Sequence, residues 1–365
     1  MAENTTFLRR VDGFFKKQGI IFSWNRIGIK AMGAMAQGLF ASLLIGTIIG
    51  TIAAQFHIGK LNEIANFAKA GAGAAMAVAI GYALEAPAFV LYSLIAVGAA
   101  ANGLGGAGGP LAVFFIALIA VFCGKLVSRL TPVDLIVTPA VTILAGVGAA
   151  FLLAPPIGKA AQAIGWAIMW ATEQQPFVMG VIVSAIVGIV LTLPISSAAL
   201  CAALGLVGLA GGAALAGCCA HMVGFAVASW RENKTGGLLA QGLGTSMLQV
   251  PNLMRKPVLW IPAVAASLVN GPLATVVFRL RMNGPPISSG MGTSGLVGPI
   301  GVLSGWKVPS QEALAQGAAA LSPSAFDWLG LLLVSLVIPA AVALLVSELM
   351  RRGGLIKPGD LKIEC

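Results

Sequence analysis

Charge is what this chain has least of. Lys and Arg number 22 and Asp and Glu 12 among 365 residues, whereas 58% of the chain is hydrophobic. So few charged groups cannot solvate a globular surface of this size, which excludes an ordinary water-soluble enzyme. Histidine is nearly absent at two residues. With no carboxylates at ligand spacing beside them, His57 and His221 make no metal set, and no cofactor is expected. The five cysteines are an odd number. Cys123, Cys201, Cys218 and Cys219 sit in apolar runs and lack zinc spacing, so they read as free thiols acting as small apolar residues. No GxxxxGK[ST] phosphate loop occurs, so ATP hydrolysis is not expected of this chain. Its polar stretches are too short for a separate catalytic core, and no catalytic chemistry is evident. The start, "MAENTTFLRRVDGFFKKQGIIFSWNR", has no uninterrupted apolar core, so no cleavable signal peptide is expected.

What is present are apolar runs near the roughly 20 residues needed to cross a bilayer. They fall near 31–56, 68–84, 86–102, 110–130, 133–155, 176–193, 195–212, 213–229, 257–279 and 326–350. The expected fold is an all-α polytopic membrane protein of about ten transmembrane helices. The net charge of +10 lies at the ends of these runs, where it signals orientation rather than nucleic acid. Lys125, Arg129, Arg231, Lys234, Arg255, Lys256 and the basic tail from Arg351 to Lys362 fall on one side with the N-terminal residues. Both termini are therefore expected to be cytoplasmic. Arg279 and Arg281 break this pattern; either one segment is re-entrant, or they face a polar cavity.

Five regions follow from this reading. Residues 1–30 form an interfacial segment, with Phe7, Leu8, Val11, Phe14 and Phe15 at helical spacing between basic residues, or else a tail. Residues 31–155 form a first membrane half. Residues 156–175, with Trp166 and Trp170, are too polar to span and read as an interfacial connector. Residues 176–350 form a second half, and 351–365 a cytoplasmic tail. "LEAPAFVLYS" at Leu84 and "LTLPISSAAL" at Leu191 match in form, as do "TPAV" at Thr138 and "IPAV" at Ile261. The halves are therefore expected to be related, by a parallel repeat if the span count holds and an inverted one if it is off by one.

Residues 283–301 read "NGPPISSGMGTSGLVGPIG", with six glycines, three prolines and no charge. Irregular backbone at membrane depth must be buried in protein or line a cavity, so a re-entrant loop offering Ser289, Thr293 and Ser294 to a pocket is expected. Broken helices are expected at Pro87, beside Glu85, and at Pro194, beside Thr192, Ser196 and Ser197. Glu85 is read as a hydroxyl acceptor or proton site, against a helix-end role. His221, the one histidine in an apolar span, is either a ligand group or an interhelical hydrogen bond. Gln241, Thr245, Ser246, Gln249 and Asn252 supply paired donors and acceptors, suited to a neutral polyhydroxy solute.

The motifs "PFVMGVIVSAIVGIVLTLPISSAAL", "HMVGFAVASWRENKTGGLLAQGLGTSMLQVPN" and "GMGTSGLVGPIG" carry a family likeness. With them the chain, over about residues 20 to 350, resembles the EIIC-type membrane subunits of the bacterial phosphotransferase system, in the branch named for a perfringolysin regulator. The resemblance implies a sugar permease of the bacterial inner membrane, dimeric, holding substrate near broken helices for phosphorylation by separate cytoplasmic proteins. No phosphorylatable carrier domain is fused in this sequence, so coupling requires such partners. Two rivals stand beside this reading: a membrane sensor or regulator, and a proton- or ion-coupled carrier that titrates Glu85 or His221.

Overall fold

A computed structural model describes residues 14, 15 and 18–363. The apolar pattern read at Phe7, Leu8 and Val11 lies outside the described residues. The described chain is mostly helical and forms no strand element; its one β-type contact is an isolated antiparallel bridge between Gly208 and Met282. The expected class, an all-α membrane protein with broken helices, is what these elements form.

Among the described residues, six helical stretches are long and apolar enough to cross a membrane, or seven if the bent pair Gly59–Ala70 and Ala72–Ala83 counts as one span. The sequence reading expected about ten. Part of the difference lies at 195–212, where the chain makes a seven-residue helix, Ser197–Ala203, and then a turn to Gly208. Pro194 and the glycines at 205 and 208, both at positive φ, prevent a continuous helix there. Pro176–Thr192 is shorter than a typical span at 17 residues. Ala88–Val127, by contrast, folds back on itself. The position of Gly81 is bordered by Leu91 and Leu94 of its first helix and by Val121 of its second, with the reversal at Gly106.

The chain divides into two compact units. One contains the described residues up to Ala41 together with Gly71–Gly158. Its helices pack through small residues: a Cβ on Gly73 would lie 2.3 Å from the Gly98 carbonyl oxygen, so two backbones touch where side chains are missing. The other contains Ser42–Ala70 and the chain from Lys159 onward. Of residues 156–175, read as a connector, 156–172 are the last turns of the 39-residue helix Asp134–Thr172, in which Trp166 and Trp170 are exposed.

The second unit is organised around helix Gly208–Ala228, which is buried almost continuously from Gly211 onward. A helix apolar on every side must be wrapped on every side. Pro176–Thr192, Ile261–Pro272 and Ile338–Arg352 pack against it. At about 1.5 Å per residue it is roughly 30 Å long, the thickness of a bilayer core. Its two ends differ. Gly208 pairs with Met282 at one, and the Ala228 carbonyl accepts from Arg351 Nη2 at 3.0 Å at the other.

Candidate functional site

In the first unit the helix Ala72–Ala83 ends just before Pro87, as the proline predicts. Glu85 lies in the break at φ +55°. The stop frees the Leu84 carbonyl, which accepts from Lys125 Nζ at 2.6 Å and Arg26 Nη2 at 3.2 Å. The Glu85 carboxylate pairs with Arg26 at 2.7 Å while its side chain remains 78% exposed. The hydrogen bond and charge of Arg26, with Lys125 and Lys30 further off, hold its pKa below the usual carboxylate value. Glu85 is thus the anionic member of a basic cluster at a helix end.

Every other candidate site residue belongs to the second unit. Three broken segments meet there. The first follows Thr192, where Leu193 turns extended and Ser196 caps the helix Ser197–Ala203 by accepting from the Ala199 N–H at 3.2 Å. The second runs through the π turn Ala240–Gly244 into the 3-10 turn Ser246–Gln249, capped by Thr245 Oγ1, which accepts from the Met247 N–H at 3.1 Å. The third is the glycine-rich loop, with a short helix Pro286–Ser289 and a 3-10 turn Ser294–Leu296.

These segments are tied to one another through hydroxyls. Ser197 Oγ donates to the Gly290 carbonyl at 2.7 Å, Ser289 Oγ to Leu206 and Pro286 carbonyls, and Thr293 Oγ1 to the Gly242 carbonyl. Thr192 Oγ1 lies 2.9 Å from His221 Nδ1 and 2.8 Å from Ser246 Oγ, so one hydroxyl joins an imidazole and a second hydroxyl from three parts of the chain. The ring of His221 packs in a triangle with those of Phe225 and Trp260, both centroids 5.9 Å from it and 6.3 Å from each other. It also lies over Gly188, where a Cβ would come 2.5 Å from its Cδ2. Only glycine leaves room for it.

Two polar atoms in this cluster have no partner. Among the described residues, His221 Nε2 and Ser294 Oγ are buried and make no hydrogen bond. Whichever tautomer His221 adopts, Nε2 is left as an unused donor or acceptor. Such orphans are costly and rare, so they mark where a ligand group or water would be welcome.

The remaining candidates form a different network. Gln241 Nε2 donates to Ser229 Oγ at 2.8 Å and the Gly237 carbonyl at 3.0 Å. Gln249 Nε2 donates to Gln241 Oε1 and to the Leu361 carbonyl, both at 3.0 Å. Asn252 Nδ2 reaches Gln249 Oε1 at 2.8 Å and the Lys362 carbonyl at 2.9 Å. Asn233, which the sequence reading passed over, donates to the Leu361 carbonyl at 2.8 Å and accepts from the Ile363 N–H at 2.9 Å. Residues 353–363 therefore latch across the segment 229–256, with Ile356 and Leu361 buried beneath. Glu232 pairs with Arg351 at 2.9 Å and Lys256 with Asp360 at 2.6 Å. Asn233 gave no signal in sequence, because its partner is backbone 130 residues away.

Three cavities lie at the Gly208 end. One of about 380 Å³ is bordered by Thr172, Gln174, Leu206 and Gln316; a second of about 260 Å³ shares Gln316 and adds Arg281 and Asn283; a third of about 350 Å³ holds Arg279 and Arg281. The candidate hydroxyls line none of these three. Among the described residues no group of three His, Cys, Asp or Glu could hold a metal.

A polytopic helical membrane protein that gathers buried hydroxyls, amides and an imidazole at broken helices has the build of a solute-handling membrane protein. Residues 29–363 match the family model described as "Phosphotransferase system, EIIC". The chain belongs to that family, and is a multi-pass membrane transport subunit of the phosphotransferase type. No curated protein and no solved structure shows significant similarity to it.

Proposed function

We propose that the chain carries a small neutral polyhydroxy solute, a sugar, inward across the bacterial cell membrane. In this reading separate cytoplasmic phosphotransferase proteins phosphorylate the solute as it arrives, and the subunit works as a homodimer with both termini cytoplasmic. The observation that carries it is the meeting of two uncharged broken segments with the central helix at Thr192, Ser246 and His221, the glycine-rich loop being tied in through Thr293 and Gly290, with His221 Nε2 and Ser294 Oγ left unpartnered among the described residues. A solute hydroxyl both donates and accepts, so it can join such a cluster without a counter-ion. Ser196, Ser197, Ser289, Thr293 and Thr245 hold the segments in register around it. Gln241, Gln249 and Asn252 stand at its cytoplasmic margin, where segment 229–256 offers a docking surface for the partners. Glu85 would have to exchange its Arg26 ion pair for a solute hydroxyl to take part.

Vesicles reconstituted with purified protein test this. Labelled sugars are expected to enter only when phosphotransferase proteins and a phosphate donor are supplied. Uptake without them would remove the coupling, and a bound sugar that never crosses under any driving force would remove transport.

A further inference from the structure

We infer that Arg279, Arg281 and Asn283 form a binding site for a phosphate-bearing group, at the end of helix Gly208–Ala228 remote from the latch. The segment that carries them is pinned. Met282 and Gly208 exchange hydrogen bonds of 2.8 and 2.9 Å, and Leu280 and Met282 are buried at 4% and 0% exposure. Arg279 and Arg281 flank the buried Leu280, and both are exposed. With a single residue between them and one cavity bordered by both, two guanidinium groups can meet one phosphate. Arg279 is held at φ +45°, a conformation that L residues seldom adopt without cause.

Both arginines line the cavity of about 350 Å³, together with Asn283, Trp306, Phe326 and Asp327. Among the described residues neither arginine has a hydrogen-bond or ion-pair partner. Arg26, Arg231, Arg351 and Arg352 are all paired. The one carboxylate at the cavity is already in use, since Asp327 Oδ2 accepts from the Ser324 N–H at 2.8 Å and Ser324 Oγ at 2.7 Å. Asn283 is 6% exposed, and its side chain likewise has no partner among the described residues. It borders this cavity and the adjoining one. Two free planar cations beside a buried free amide suit phosphate oxygens, which accept from several donors at once. These are the arginines that run against the distribution of positive charge along the chain, and a ligand at this end accounts for them. The phosphate can belong to a lipid headgroup, for which the flanking Phe278–Phe326 and Trp306–Trp328 ring pairs at 5.5 and 5.1 Å provide an interfacial setting, or to a soluble phosphate ester.

The test is thermal unfolding of the purified full chain in a neutral detergent. Its additives are dihexanoyl-phosphatidylglycerol, inorganic phosphate, or dihexanoylglycerol as the phosphate-free control. Phosphatidylglycerol is expected to raise the midpoint, and added salt to weaken the effect. A rise with the phospholipid alone assigns the site to a headgroup; an equal rise with inorganic phosphate assigns it to a soluble ester. The double variant Arg279→Gln/Arg281→Gln is expected to need at least about tenfold more phospholipid for the same rise. Lys307→Gln, an exposed cation nearby, is expected to respond as the parent does. If the double variant fails to fold, Arg281→Lys keeps the charge but loses the planar fork, and an intermediate response is expected. The inference is overturned if phospholipid and phosphate do no more than the control, or if the arginine variants respond like the parent.

Discussion

Two polar clusters of the second unit are made from the same kinds of residue and behave differently. Around Thr192, hydroxyls and one imidazole are buried, yet His221 Nε2 and Ser294 Oγ have no partner. Around Gln249, the amides are equally buried, but each donates or accepts within the protein, much of it to the backbone of residues 361–363. Polarity at depth is thus not itself a sign of ligand binding. A saturated network holds the chain together, whereas an unsaturated one has capacity left for a solute. The contrast makes a simple demand: damage to the saturated cluster should register as stability, and damage to the unsaturated one as affinity.

The largest effect is expected at the base of the latch. Glu232 and Arg351 have side chains only 6% and 9% exposed, so Glu232→Ala strands a buried guanidinium, and a loss of about 3–5 kcal/mol is expected in unfolding measurements. Gln249→Ala removes an amide that bridges two side chains and the tail. A smaller loss of about 1–3 kcal/mol is expected, with solute affinity in equilibrium binding unchanged. A drop in affinity at constant stability would move Gln249 into the binding cluster.

In the unsaturated cluster the pattern should invert. Gly188→Ala places a methyl against the His221 ring and the Gly217 carbonyl. It should displace the imidazole and abolish saturable binding, at a folding cost of about 1–3 kcal/mol. Ser246→Ala leaves the Thr192–His221 contact in place, so the protein should melt normally while binding solute about tenfold more weakly. Equal affinity in this variant would detach the cluster from the solute.

The smallest effect concerns pH. Burial works to raise the pKa of Asp360, but hydrogen bonds from Lys256 and the Lys357 N–H, together with their charges, hold it below 3.8 overall. A depressed carboxylate contributes stability above its unfolded pKa and loses it as pH falls through the folded one. The latch should therefore be intact near neutrality and loosen only below about pH 4. Limited proteolysis after Gly354 would report the change, and Lys256→Met should shift its onset to higher pH.

The class of fold was legible because hydropathy and length decide it: few charges and long apolar runs leave little but membrane helices. The number of spans was less legible. Hydropathy records that a stretch prefers lipid or protein to water, not whether it crosses or turns back, so the short helix Ser197–Ala203 and the long helix Gly208–Ala228 looked alike. Proline and glycine did mark breaks, as at Pro87, Pro194 and Pro286. They could not show that the hydroxyls beside those breaks bond to Gly290, Leu206 and Gly242, because these contacts join residues tens of positions apart. The latch was the least legible part. Its partners are carbonyls, which every residue possesses, so no side-chain pattern announces it.

That latch also bears on how the protein can be handled. Reporter proteins are often joined to a membrane protein to follow its production. A reporter joined just after Ile363 would lie beside the N–H that bonds to Asn233. A bulky reporter there would tug on the seam that closes segment 229–256, and its fluorescence would record a loosened protein as faithfully as an intact one. Moving the tag to an exposed turn at Gly317 would leave the seam closed.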